Sequence, residues 1–108
     1  MRDIFENVRK ISDLILFQEN SIVSKVLFKT NSGNITLFAF WKEQELSPHT
    51  SPLDAFVYCV EGEGLIIIDN KEHFLSSGDV ILMPANRPHS VKALSNFKIL
   101  LVMIKNSE

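Results

Sequence analysis

Cysteine is nearly missing from this chain. Cys59 is the single thiol, so no internal disulfide can form, and a lone thiol inside an apolar run fits a reducing compartment. Basic clusters are missing as well: eleven Lys and Arg stand scattered against thirteen Asp and Glu, for a formal charge of -2. A sequence-independent nucleic-acid binder needs grouped cations to neutralise phosphates, so that class is excluded. No apolar run approaches the roughly 20 residues of a membrane-crossing helix, and the opening MRDIFENVRK has no signal-type apolar block. The expectation is a soluble cytoplasmic protein with neither nucleic acid nor membrane as partner. Long helical periodicity, internal repeats and low-complexity tracts are also absent. A length of 108 residues is enough for one domain, 1–108, to bury a core without a disulfide or structural metal.

What the chain does contain is a succession of short β-type runs. Residues 21–29, SIVSKVLFK, are rich in β-branched and aromatic side chains and stop at the turn signal Asn31-Ser32-Gly33-Asn34. Ile35 to Trp41 follows as a strand with Leu37, Ala39 and Trp41 on one side and Thr36, Phe38 and Phe40 on the other. Lys42 to Pro52 is polar and reads as irregular. The run Asp54 to Ile68, DAFVYCVEGEGLIII, is apolar on both sides of Glu61-Gly62-Glu63-Gly64 and reads as a central hairpin. Val80 to Met83 is a strand stopped by Pro84. His89, Val91 and Ala93 alternate with the wet Ser90 and Lys92, and Phe97 to Ile104 is a buried closing strand. Before all of these, Ile4, Phe5, Val8 and Ile11 form an apolar stripe on a short N-terminal helix over residues 3–11, and Leu14 to Phe17 reads as a short strand. Many short strands with close turns make an all-β sandwich or barrel.

Two segments resemble the signature motifs of the cupin superfamily, the RmlC-like double-stranded β-helix jelly rolls. Gly78, Pro84, Asn86 and His89 match G-x5-P-x-G-x2-H, with Asn where Gly is usual, an exchange a left-handed turn tolerates. The first motif, H-x-H-x3-E-x6-G, is eroded, its positions being filled by His49, Ser51, Ala55 and Gly62. The resemblance spans residues 34–104. It implies an all-β jelly-roll barrel over those residues, and a homodimer with residues 1–20 at or near the interface. The apolar stripe Phe56, Tyr58 and Val60 on the outer face needs a cover in any case.

The resemblance also implies that His49 and His89 meet at the barrel mouth. Strand parity from 49 to 59 puts His49, Ser51, Ala55, Val57 and Cys59 on one side and Asp54, Phe56 and Tyr58 on the other. Two imidazoles begin a site for Zn, Fe, Ni, Cu or Mn, but such ions want further ligands. Asp54 through a bulge, Ser51 through water, and Cys59 are the candidates for a third. Met83, Val91, Phe38, Phe40 and Trp41 complete the expected pocket. Each residue has a plainer role too. Either histidine can close a turn, Cys59 can be a small hydrophobe, Asp54 can cap a turn, and the aromatic residues and methionines can simply pack. His73 fits neither motif and reads as a solvated strand residue. Three functions remain: a cupin that binds a small molecule, with or without a divalent metal; a metal-dependent enzyme of dioxygenase or isomerase type; and a metal-free accessory or structural homodimer. A shared fold does not choose among them.

Overall fold

The computed structural model describes residues 6–106. Their strands are β1 (Ile22–Thr30), β2 (Gly33–Phe40), β3 (Glu45–His49), β4 (Leu53–Glu61), β5 (Gly64–Ile68), β6 (Lys71–Leu75), β7 (Val80–Met83), β8 (His89–Ala93) and β9 (Phe97–Lys105). All pairings are antiparallel. They form a five-stranded sheet in the order β1-β2-β9-β4-β7 and a four-stranded sheet in the order β3-β8-β5-β6. The jelly-roll expectation therefore holds. The core lies between the sheets, where Phe40, Val57, Cys59, Phe97 and Ile99 from one meet Ile66, Ile68, Val91 and Ala93 from the other. A second cluster sits on the outer face of the larger sheet, where Ile15 packs with Leu27, Leu37 and Ala39, joined by Ile11, Leu14 and Phe17.

The expected hairpin at Glu61–Gly64 is instead a corner. β4 pairs with β7 and β9, whereas β5 pairs with β6 and β8, so the chain changes sheets here. The local signal, two glycines between apolar runs, is the same for both; pairing partners far away in sequence decide between them. Gly62 has φ +83°, and a Cβ there would stand 2.0 Å from the Asn96 carbonyl oxygen, a backbone atom that cannot step aside. A Cβ on Gly64 would meet the Phe97 ring at 2.3 Å.

Three further expectations are corrected. The 42–52 segment contains β3, an edge strand that accommodates Pro48 within a register shift between Leu46 and His49, where a missing N–H costs no central ladder bond. Leu14 to Phe17 is not a strand: Leu14, Ile15 and Phe17 pack onto the outer sheet face without pairing with any edge, while Leu16 points to solvent. Of the expected helix over 3–11, residues 3–5 lie outside the described residues. Beyond Glu6 the chain leaves helical geometry and makes only a 3-10 turn at Ile11–Asp13. Among the described residues no helix is long and apolar enough to cross a membrane.

Gly62→Ala is expected to destabilise the protein by roughly 2 kcal/mol or more, since it combines a disfavoured φ with a backbone clash. Urea denaturation checks this; a midpoint within error of the parent would show that the corner relaxes freely.

Candidate functional site

A cavity of about 100 Å³ opens between the sheets at the end where β3 and β8 pair. His49 and His89 are cross-strand partners there, with ring centroids 4.4 Å apart and planes at 72°. His89 is 5% exposed, whereas His49 stands at the mouth with part of its ring in solvent. Both rings are oriented in the same way. His49 Nδ1 lies 2.8 Å from the Ser47 carbonyl oxygen, and His89 Nδ1 lies 3.1 Å from that of Arg87. A carbonyl can only accept, so each Nδ1 carries the hydrogen and each neutral ring keeps its lone pair on Nε2. Burial pushes the His89 pKa below 6.5, aided by the neighbouring His49 and opposed by the bond to Arg87 O.

Across the cavity, β4 presents Ala55, whose register partners are Met83 on β7 and Met103 on β9. All three line the space, as do Ser51, Phe38, Phe40 and Val91. His49, Ser51 and Ala55 border one space, but not by the parity of a single strand, because β3 ends at His49 in the smaller sheet and β4 begins at Leu53 in the larger. Val57 and Cys59 share the inward face of β4 with Ala55, but they pack deeper in the core and do not reach the cavity. Trp41 lies past the end of β2 with the parity of Leu37 and Ala39, and is not part of the lining. Met103, which the sequence offers as a strand residue able to pack or to line the pocket, does line it, and so do Leu46, Ile99 and Leu101, which were not singled out. The alternation Phe97, Ile99, Leu101, Met103 would have yielded two of these three; Leu46 was hidden because β3 was read as irregular.

The candidates for a third metal ligand are otherwise engaged. Asp54 Oδ1 accepts the Ala85 N–H at 2.7 Å, and the β4–β9 register runs unbroken through Leu53, Asp54 and Ala55, so no bulge turns the carboxylate inward. Ser51 Oγ accepts the Leu53 N–H at 3.1 Å. The Cys59 thiol is pushed up to about 11, first by burial and then by the charge of Asp79, and stays protonated at neutral pH. Among the described residues no three His, Cys, Asp or Glu side chains converge. The protein's donors alone therefore do not fit a closed Zn, Ni, Mn or Fe site, which needs more ligands than two imidazoles.

The loops at the mouth are tied together. Asn86 adopts φ 64°, the left-handed conformation that Gly takes in the motif, and its N–H donates to Ser51 O at 2.7 Å. With this, the positions of both motifs, His49, Ser51, Ala55 and His89, border one space. The cupin domain family profile matches residues 36–105. This chain belongs to the cupin family. Its structure is similar to that of a conserved protein of unknown function from Streptococcus pyogenes, with 31% identity and a TM-score of 0.88 over 94% of this chain and 90% of that one. A cupin superfamily protein from Desulfitobacterium hafniense is 26% identical, with a TM-score of 0.88 over 94% and 93% of the two chains. A cupin 2 conserved barrel domain protein from Leptotrichia buccalis is 38% identical, with a TM-score of 0.84 over 87% of this cupin and 46% of its own chain. No curated protein matches.

The depressed His89 pKa has a consequence for stability. Between the folded value and 6.5, the unfolded chain binds a proton that the folded chain refuses, so stability is complete above that window and is lost as pH falls through it. Urea midpoints of metal-free protein should drop more steeply between pH 7 and pH 5 than those of His89→Gln. Parallel profiles would contradict the assigned environment of His89.

Proposed function

We propose that this cupin binds a small, largely apolar molecule in the barrel cavity, anchored by a hydroxyl or amine that donates to the imidazole pair. The observation that carries this is the pairing of two Nε2 lone pairs with an otherwise apolar lining. Ligand sites are mostly apolar with a few convergent polar groups, and this one has that character on a small scale. A volume near 100 Å³ is of the order of engineered cavities that take up benzene. His49 at the mouth provides the way in.

Phenol and benzene separate the anchor from the cavity. Phenol should bind roughly fivefold or more tightly than benzene, the scale of about one net hydrogen bond, and the advantage should vanish in His49→Ala and His89→Ala. Chemical-shift titration reads this directly. Equal affinities would remove the imidazole anchor, and no response to either compound would remove the pocket reading.

The metal-dependent enzyme is the second reading. Nδ1–H bonds to backbone carbonyls are the support that metal-ligating histidines usually have. On this reading the two imidazoles would hold Zn, Ni, Mn or Fe while water or substrate completed its shell, and the ion would supply Lewis acidity.

The accessory reading needs only the outer face. The N-terminal segment covers β1, β2 and part of β9 but leaves Phe56, Val80, Leu82 and Ile104 between 42% and 55% exposed on β4, β7 and β9. We infer a homodimer that buries this stripe, with the N-terminal segment at its border. Light scattering after size exclusion should give twice the chain mass at micromolar concentration, and Phe56→Glu with Leu82→Glu should give monomer. A parent protein that is already monomeric would exclude it.

A further inference from the structure

The loop that leads into His89 is braced from outside the cavity. Residues 84–88 belong to no strand, and β8 begins with His89 directly after them. Contacts on both sides fix this loop. On one side Ala85 N–H donates to Asp54 Oδ1 and Asn86 N–H donates to Ser51 O, each at 2.7 Å. On the other, Arg87 Nε donates to Asp69 Oδ2, and the Asp69 N–H donates to Pro88 O at 3.1 Å. Asp69 is in reach because it follows Ile68, the cross-strand partner of His89, and turns there with φ 50°. One residue of the β5–β6 turn thus grips both residues that precede the histidine. We propose that Asp69, acting through Arg87, is a positioning residue for His89: it steadies the carbonyl that accepts the imidazole Nδ1–H, and so makes the cavity select ligands that donate a hydrogen bond. This rests on the imidazole anchor proposed for the protein's function, and names what sets its specificity.

A neutral imidazole carries one hydrogen, and the bond made at one ring nitrogen decides what the other can do. His89 Nδ1 lies 3.1 Å from Arg87 O, so Nε2 is an acceptor only while that carbonyl stays in place. The Asp69 link is made at Nε, the guanidinium nitrogen nearest the backbone, and therefore restrains Arg87 itself more than a bond at the tip would. Pro88 adds to this by keeping the residue before it out of helical conformation. The ion pair is solvated, with its side chains 54% and 37% exposed. Pairs of that kind contribute little to stability, so an effect on the ring is separable from an effect on folding. His49 supplies an internal reference. Its Nδ1 is bonded in the same way to Ser47 O, which belongs to β3 and not to the braced loop.

The test uses the full chain, nitrogen-15 labelled and without a histidine tag, at about pH 8, where imidazole is neutral. Ring nitrogen shifts then report the ratio of Nδ1–H to Nε2–H at each histidine. In Asp69→Gly, where glycine accepts the positive φ, and in Arg87→Gln, the ratio should fall roughly fivefold or more at His89, the scale of about one net hydrogen bond. It should stay unchanged at His49, and thermal midpoints should stay close to that of the parent. Pyridine gives the ligand readout, because it has the shape of benzene and a nitrogen that only accepts. In the parent it should bind no better than benzene. In both variants it should gain, while the advantage of phenol over benzene shrinks. A His89 ratio unchanged in both variants, or moving equally at His49, would overturn the proposal. A ratio that falls while phenol keeps its full advantage overturns the selectivity. If phenol has no advantage in the parent, the imidazole anchor fails, and the tautomer ratio alone decides whether Asp69 positions the ring.

Discussion

Because β9 runs between β2 and β4 with its inner face in the core and part of its outer face under the N-terminal segment, a slip of one residue in its register would exchange its two sides. Its inner residues Phe97, Ile99 and Leu101 are part of the barrel core, and Leu101 and Met103 reach the cavity. Its outer residues Lys98 and Leu100 hold the N-terminal segment. The same register sets Met103 beside Ala55 and Phe97 against the Gly64 corner. The site and the strap over the opposite face are thus placed by a single strand.

Lys98 shows what holds that strap. Its side chain is buried, and its Nζ donates to Ser12 O at 2.7 Å, pairs with Glu61 at 3.2 Å and lies 4.8 Å from the centre of the Phe17 ring. A buried ammonium without partners would cost several kcal/mol, but here one charge, one carbonyl and one aromatic face share the work of solvation. Lys25 donates to Leu14 O at 3.1 Å in the same way. The segment is therefore held by polar anchors to its backbone as well as by Ile15, which explains how a stretch with no regular structure beyond one 3-10 turn can lie in a defined place.

Most of the sheet was legible from alternation. His89, Val91 and Ala93 are buried, as their parity requires, and Phe38 and Phe40 face inward. Three kinds of feature were not legible. The Gly62 corner looks locally like a hairpin, since only distant partners tell them apart. β3 is short, polar and interrupted by Pro48, so neither propensity nor period marks it as a strand. Cys59 has the right parity for the site but the wrong depth, and depth along a barrel axis depends on strand tilt, which a linear pattern does not encode. The meeting of His49 and His89 was reached only through the motif resemblance, because a pair forty residues apart leaves no periodic trace.

The eroded first motif has a physical reading of its own. Where the family pattern has a second histidine and a glutamate, this chain has Ser51 and Ala55, and both positions still face the cavity. Replacing a carboxylate by a methyl removes a negative charge and several heavy atoms at the point where β7, β4 and β9 lie side by side. Ser51 is short enough to turn its hydroxyl to the Leu53 N–H and so close its own loop. What remains inside is space, two lone pairs and two thioethers, with no fixed negative charge. Such an interior presents no charge to offset that of a dication. The departures from the family pattern therefore change the chemistry of the cavity lining while leaving the barrel and its mouth intact.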